Sequence, residues 1–117
     1  MNNMIFIKFA REGIHCYPSA PDDVAFLRNP HRHIFYFRVD IQFFHDNREI
    51  EFIIFKRKVE GYYEPGVLQF DSKSCETIAH DLHAKIKRDF PGRAMVIEVS
   101  EDDENGARIT FPVTPPA

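Results

Sequence analysis

The sequence predicts an α+β domain, and three observations predict it. Residues 31–43 alternate with period two: His31, His33, Phe35, Phe37, Val39, Ile41 and Phe43 share one face. Ile34, Tyr36, Arg38, Asp40 and Gln42 take the other, which is the pattern of a half-buried strand. The apolar residues Cys75, Ile78, Ala79, Leu82 and Ile86 recur instead at three-to-four spacing, one stripe of a helix. Residues 94–111 then return to alternation around an Asn-Gly turn signal, the mark of a hairpin. Locally paired strands at both ends with helices between them give the order β-β-α-α-β-β. The expected domain is a four-stranded antiparallel sheet with two helices on one face.

Each element has its own signals. Residues 4–9 read as a first strand, and the β tendency runs past Gly13 towards Tyr17, with Gly13 as a bulge or kink. Pro18, Pro21, Asp22, Asp23, Asn29 and Pro30 make 18–30 an irregular connection, pinned to the core by Val24, Ala25, Phe26 and Leu27. After the 31–43 strand, Asp46-Asn47 is a turn, and 49–52 returns as a short strand. Phe52, Phe55, Val59 and Tyr62 then form a helical stripe, with Lys56, Arg57, Lys58 and Glu60 on the wetter side and Pro65-Gly66 as the stop. Residues 71–74 offer N-caps for the second helix. Glu76 in its first turn and Lys85, Lys87 and Arg88 in its last suit the helix dipole, and Pro91-Gly92 ends it. Met95, Ile97, Val99 and Glu101 share one strand face; 102–106 turns and 107–111 closes the sheet. A single domain thus covers 1–111, and 112–117 reads as a flexible tail.

Composition excludes several classes. The chain has 117 residues, enough for one core, and its 12 Phe and 4 Tyr rule out a disordered polymer. Fifteen Lys and Arg against 18 Asp and Glu argue against a nucleic-acid partner, which needs a cationic surface. No apolar run approaches the roughly 20 residues that span a bilayer, so no membrane partner is expected. No leader pattern is visible, and Cys16 and Cys75 do not make a disulfide framework; a cytoplasmic, reducing setting is expected. Six histidines are many for this length and point to chemistry.

His31-Arg32-His33 is the most specific local feature. On a strand, positions i and i+2 face the same side, so both imidazoles can converge on one ion. His15, near the end of the first strand, is the candidate third ligand for Zn²⁺, leaving one position open. The same spacing also describes a stacked or solvated surface pair. If metal binds, neutral imidazoles are required, so binding weakens as pH falls through about 6 to 5.

Several stretches together resemble the 6-pyruvoyl-tetrahydropterin synthase and 6-carboxy-tetrahydropterin synthase family, of the T-fold (tunnelling fold) class. Ile14-His15-Cys16 and then His31-Arg32-His33-Ile34-Phe35 match the family's strand histidine and its His-Gly-His. Ser74-Cys75-Glu76-Thr77-Ile78-Ala79 is similar to Thr-x-Glu-Asn-(Leu/Ile)-Ala at the second helix. Ile97-Glu98-Val99-Ser100-Glu101, then Asn105-Gly106-Ala107, resembles the family's Val-x-Val-x-Glu and following Ala; Glu51-Phe52 and Lys56 resemble its Asp-Phe and Lys. The resemblance implies a T-fold, zinc on His15, His31 and His33, and a pterin or purine-like heterocycle held by a glutamate at a subunit interface. Glu101 is the residue this points to, with Glu76 as a second ligand contact. It also implies a homo-oligomer that closes its sheets into a barrel, which would solve the open edges and uncovered face of a small sheet.

The departures set the functional expectation. Leu27 stands where the family's catalytic Cys precedes the His-x-His pair, Arg32 replaces the Gly between the ligands, and 61–73 holds no counterpart of the family's Asp-His. Without that acid–base relay the chain reads as a zinc-containing, catalytically degenerate binding protein for a purine- or pterin-like heterocycle or nucleotide. The alternatives are an active zinc-dependent tetrahydropterin synthase-like lyase and a purely structural oligomer with vestigial histidines.

The remaining features have plainer readings. Glu101 also reads as a strand-end charge reaching water, and Glu76 as a helix-start charge. His80 and His83, with Asp81, read as a solvated helix face, His45 as a hairpin residue, and Cys75 as a small buried side chain. Lys56-Arg57-Lys58 is a wet helix face. Phe35, Phe37 and Phe43 belong to a core or subunit interface, not a base-stacking platform.

Overall fold

A computed structural model describes residues 3–113. Strand β1 (Met4–His15) is followed by a 3-10 helix (Asp22–Arg28) and strand β2 (His31–Gln42). Helix α1 (Phe52–Glu60), strand β3 (Leu68–Asp71) and helix α2 (Cys75–Asp89) come next. Strands β4 (Met95–Glu101) and β5 (Asn105–Phe111) close the domain. The α+β class and the two terminal hairpins follow the sequence. Strands β1, β2, β4 and β5 are antiparallel neighbours in that order.

The sheet is not the four-stranded antiparallel one expected. It has five strands in the order β3-β1-β2-β4-β5, and β3 runs parallel to β1 beside Gly13–His15. The reason lies in 61–73, where the sequence reading places a helix stop and N-caps but no strand. Leu68 and Phe70 are buried and Gln69 exposed, so this short run has strand alternation. Arg11 fixes the approach to it by donating to the Glu64 and Gly66 carbonyls.

Other boundaries moved for local reasons. Residues 49–52 form no strand. Glu49 instead accepts from the Phe44 and His45 amides and pairs with Arg93 at 2.6 Å, which holds its carboxyl down at about 2. Glu51 caps α1 by accepting from Ile53 and Ile54. The helix stops at Gly61, before Tyr62 and well before Pro65-Gly66. Of its expected stripe, Phe55 and Val59 are buried and Phe52 is exposed. Phe26 is also exposed, so it does not pin the 18–30 connection. The last turn is 102–104, with Asp102 and Asp103 at φ 55° and 58°, so Asn105 and Gly106 belong to β5. Gly106 is needed for closeness: a Cβ there would lie 2.2 Å from the Val99 carbonyl oxygen. Gly13 makes no bulge against β2. Its missing side chain admits two rings instead, since a Cβ would lie 2.9 Å from both Phe35 and Phe70. Pro112 and Val113 carry no regular structure, and the rest of the expected tail lies outside the described residues.

Both α-helices pack on one sheet face, as expected. Ile7, Phe9, Phe35, Phe37, Val39, Ile41, Met95, Ile97 and Val99 meet Phe55, Val59, Ile78, Leu82 and Ile86 in one core. Burying each large side chain is worth about 1.5–3 kcal/mol. Phe9 and Phe37 stack at 4.7 Å. No helix among the described residues is long and apolar enough to cross a membrane.

Candidate metal centre

The histidines are delivered by strand register. His15 pairs directly with His31 and Gly13 with His33, so the last core-facing position of β1 and the first two of β2 form a triangle. Ring centroids are 4.6 Å (His15–His31), 4.9 Å (His31–His33) and 5.3 Å (His15–His33), with planes at 71–84° to one another. One ligand atom from each lies within 4.8 Å of the others. The sequence-predicted triad is therefore assembled in space.

Each ring is held from behind through Nδ1. His15 Nδ1 lies 3.0 Å from the Lys73 carbonyl oxygen and His31 Nδ1 2.9 Å from that of Asn29. Carbonyl oxygens only accept, so Nδ1 carries a proton in both rings, and in the neutral imidazole the lone pair is on Nε2. His33 Nδ1 meets Asp102 Oδ2 at 2.7 Å. The contact to His33 and the Ile34 amide, which donates to the other oxygen, hold the Asp102 carboxyl below its usual range. Acceptors behind metal-ligating imidazoles serve this purpose, fixing the tautomer and the ring orientation.

The front atoms lack matching partners. Nε2 of His15 and of His33 are buried and find no hydrogen-bond partner among the described residues. Their nearest charged neighbour is Glu101, with Oε2 2.8 Å from His15 Nε2 and Oε1 3.6 Å from His33 Nε2. Two orphaned imidazole nitrogens facing a carboxylate suit a divalent cation that accepts nitrogen and oxygen donors.

A cleft of about 560 Å³ opens over this cluster and is lined by His15, His31 and Glu101. Glu76, exposed in the first turn of α2, lines the same cleft. So does Leu27, an apolar side chain where the resembled family has a thiol. Cys16 and Cys75 also line the cleft, which sequence spacing did not reveal. Burial foremost, then the charges of Glu101 and Glu76, pushes the Cys75 thiol up to about 12, so it stays protonated at neutral pH.

The other histidines lie elsewhere. His80 and His83 are not simply a solvated face: both pack on Phe111 of β5. His45 is exposed in the loop after β2. Sequence reasoning missed the supporting shell, which is Asp102 and the carbonyls of Asn29 and Lys73. Carbonyl contacts leave no mark in a sequence, and Asp102 reads as an ordinary turn residue.

No protein-family model matches this chain, and no curated protein matches it. The site is therefore read from its own residues.

Proposed function

We propose that this protein is a T-fold, zinc-containing, small-molecule-binding protein whose ligand is a purine- or pterin-like heterocycle or nucleotide. The observation that carries the reading is the triangle of His15, His31 and His33, each braced through Nδ1, beside a cleft lined by His15, His31 and the carboxylates of Glu76 and Glu101. The three Nε2 atoms would hold the ion, which as a Lewis acid would polarise an oxygen or nitrogen of a bound molecule. Glu76 and Glu101 offer acceptors for the N–H edge of a flat heterocycle. The cleft volume is of the size that small ligands occupy.

Binding without turnover is the favoured form. Leu27 neither gives nor takes a proton, the Cys75 thiol is held protonated, and His80 and His83 are committed to Phe111. The lyase reading keeps one supporting observation, the presence of Cys16 at the cleft wall. A homo-oligomer is supported by two open edges: among the described residues β5 pairs only with β4, and β3 covers β1 only at Gly13–His15. The uncovered sheet face, where Phe6 and Tyr36 are exposed, points the same way. Two free thiols suit a cytoplasmic, reducing setting.

Native mass spectrometry of protein loaded with zinc, then mixed with neopterin or GTP, tests these points together. One zinc per chain, a multiple of the 13.7 kDa mass and a ligand adduct are expected. Substoichiometric zinc after saturation would remove the metal, and no adduct with either compound would remove the heterocycle. Turnover of dihydroneopterin triphosphate at about 1 s⁻¹ would promote the lyase.

A further inference from the structure

We propose that Glu101 is a fourth protein ligand of this centre, making a three-histidine, one-carboxylate set. The inference rests on the metal site proposed above and changes its composition. Three observations carry it.

The first is distance without a hydrogen bond. Glu101 Oε2 stands 2.8 Å from His15 Nε2, close enough for a strong hydrogen bond, yet that nitrogen is buried and makes none. His15 already commits its Nδ1 proton to the Lys73 carbonyl, so in the neutral form that metal ligation requires, Nε2 turns a lone pair towards the carboxylate. In that form two lone-pair atoms at this separation repel, and a metal ion between them removes the repulsion. Ligand atoms that share one ion at roughly 2.0–2.2 Å sit about 3 Å or slightly more from each other. The separations of 2.8 Å and 3.6 Å from the two imidazoles bracket that spacing.

The second is placement. Glu101 follows Met95, Ile97 and Val99 on the core face of β4 and pairs across the sheet with Phe35, which is completely buried. A carboxylate at the margin of an apolar face needs a compensating charge. Among the described residues its ion-pair partners are imidazoles, with no Lys or Arg.

The third is the backbone that follows. Asp102 binds His33 Nδ1 from behind, and its own amide donates to the Ile34 carbonyl at 2.7 Å. Successive residues of one hairpin thus address the front of the cluster and its back. The backbone contacts of Asp102 to β2 limit how far Glu101 can swing away.

The consequence is electrostatic. Three neutral imidazoles leave a divalent centre at charge two, and a carboxylate ligand lowers it to one. Such a centre holds the ion more firmly and attracts an anionic ligand less. A carboxylate bound through one oxygen keeps the other to accept an N–H from the cleft, so heterocycle recognition and metal ligation are joined in Glu101.

Cobalt(II) is the probe, because its visible absorption reports the ligand set directly. Full-length protein and the Glu101→Ala, Glu101→Gln and Glu98→Ala variants are titrated with Co²⁺ against a competing chelator. Glu101→Ala is expected to weaken binding by at least the 10–100-fold typical of a supporting residue and to change the band positions and intensity. Glu98→Ala, on the opposite face of the same strand, leaves both unchanged. If Glu101→Ala does not fold, the isosteric Glu101→Gln is read by the same criteria. Wild-type affinity with an unaltered spectrum in the folded Glu101 variant would overturn the proposal while leaving the three-histidine site standing. No Co²⁺ binding by the wild-type protein would remove the site and the proposal together.

Discussion

Two histidine groups sit on this domain, and they are used in opposite ways. His15, His31 and His33 end the first hairpin; His80 and His83 lie on α2. Both groups have spacing that allows convergence, i and i+2 on a strand, i and i+3 on a helix. Behind the first group stand acceptors: two carbonyls and a carboxylate occupy every Nδ1, which leaves the Nε2 atoms facing inward. Against the second group lies a hydrocarbon. The His83 ring stacks on Phe111 at 3.8 Å with planes 5° apart, and His80 meets the same ring edge-on at 5.2 Å. An imidazole with a braced back is oriented so that it could hold a metal ion, whereas one stacked on an aromatic ring becomes packing. The neighbours decide, not the spacing.

The sharpest way to break this contrast is to remove what each group rests on. Phe111 is buried in the core cluster under both helix histidines. Phe111→Ala should cost about 3–5 kcal/mol, read as a lower midpoint in urea, with metal affinity per folded molecule unchanged. A concurrent loss of metal affinity would mean that the two ends are coupled and the contrast is false.

A smaller change tests the other end. Asp102→Asn keeps a residue that tolerates φ near 55° and keeps an acceptor oxygen, but removes the charge behind His33. Zinc affinity should fall by about 10-fold, the lower end of the range for such supporting residues. Chelator competition measures it, and the metal-free thermal midpoint should stay near wild type. Unchanged affinity would show that orientation by the strand is sufficient.

The smallest effect concerns acid. Burial foremost, then Lys87 and His80, depresses the His83 pKa below 6.5. The unfolded chain therefore takes up its proton first as pH falls, and stability declines from about pH 6.5 downward until the folded value is passed. Thermal midpoints between pH 7.5 and 5 should fall less steeply in His83→Phe than in wild type. Equal slopes would mean that His83 is not a neutral packing group.

Much of this was legible in the sequence because it is local. Alternation in 31–43 oriented His31, His33 and Phe35 correctly, and the stripe from Cys75 to Ile86 marked five residues that are all buried in α2. His15 was legible as a partner because antiparallel pairing of two long strands fixes their register. Where the reading failed, a single contact outweighed a propensity. Glu49 gave up strand pairing for Arg93 and two amides, and the last turn formed on Asp102-Asp103, leaving Asn105-Gly106 to the strand.

The sequence by itself determined the α+β class, the core faces and the three-histidine set, since side-chain period and strand pairing follow from covalent geometry. Tertiary structure alone decided that β3 joins the sheet in parallel, that Cys16, Cys75 and Glu76 share one cleft, and that Asp102 and two carbonyls brace the imidazoles. Those contacts join residues far apart in the chain. Lys73 meets His15 across 58 positions and Asp102 meets His33 across 69. Such contacts arise when the core brings distant segments together, and no local pattern of residues encodes them.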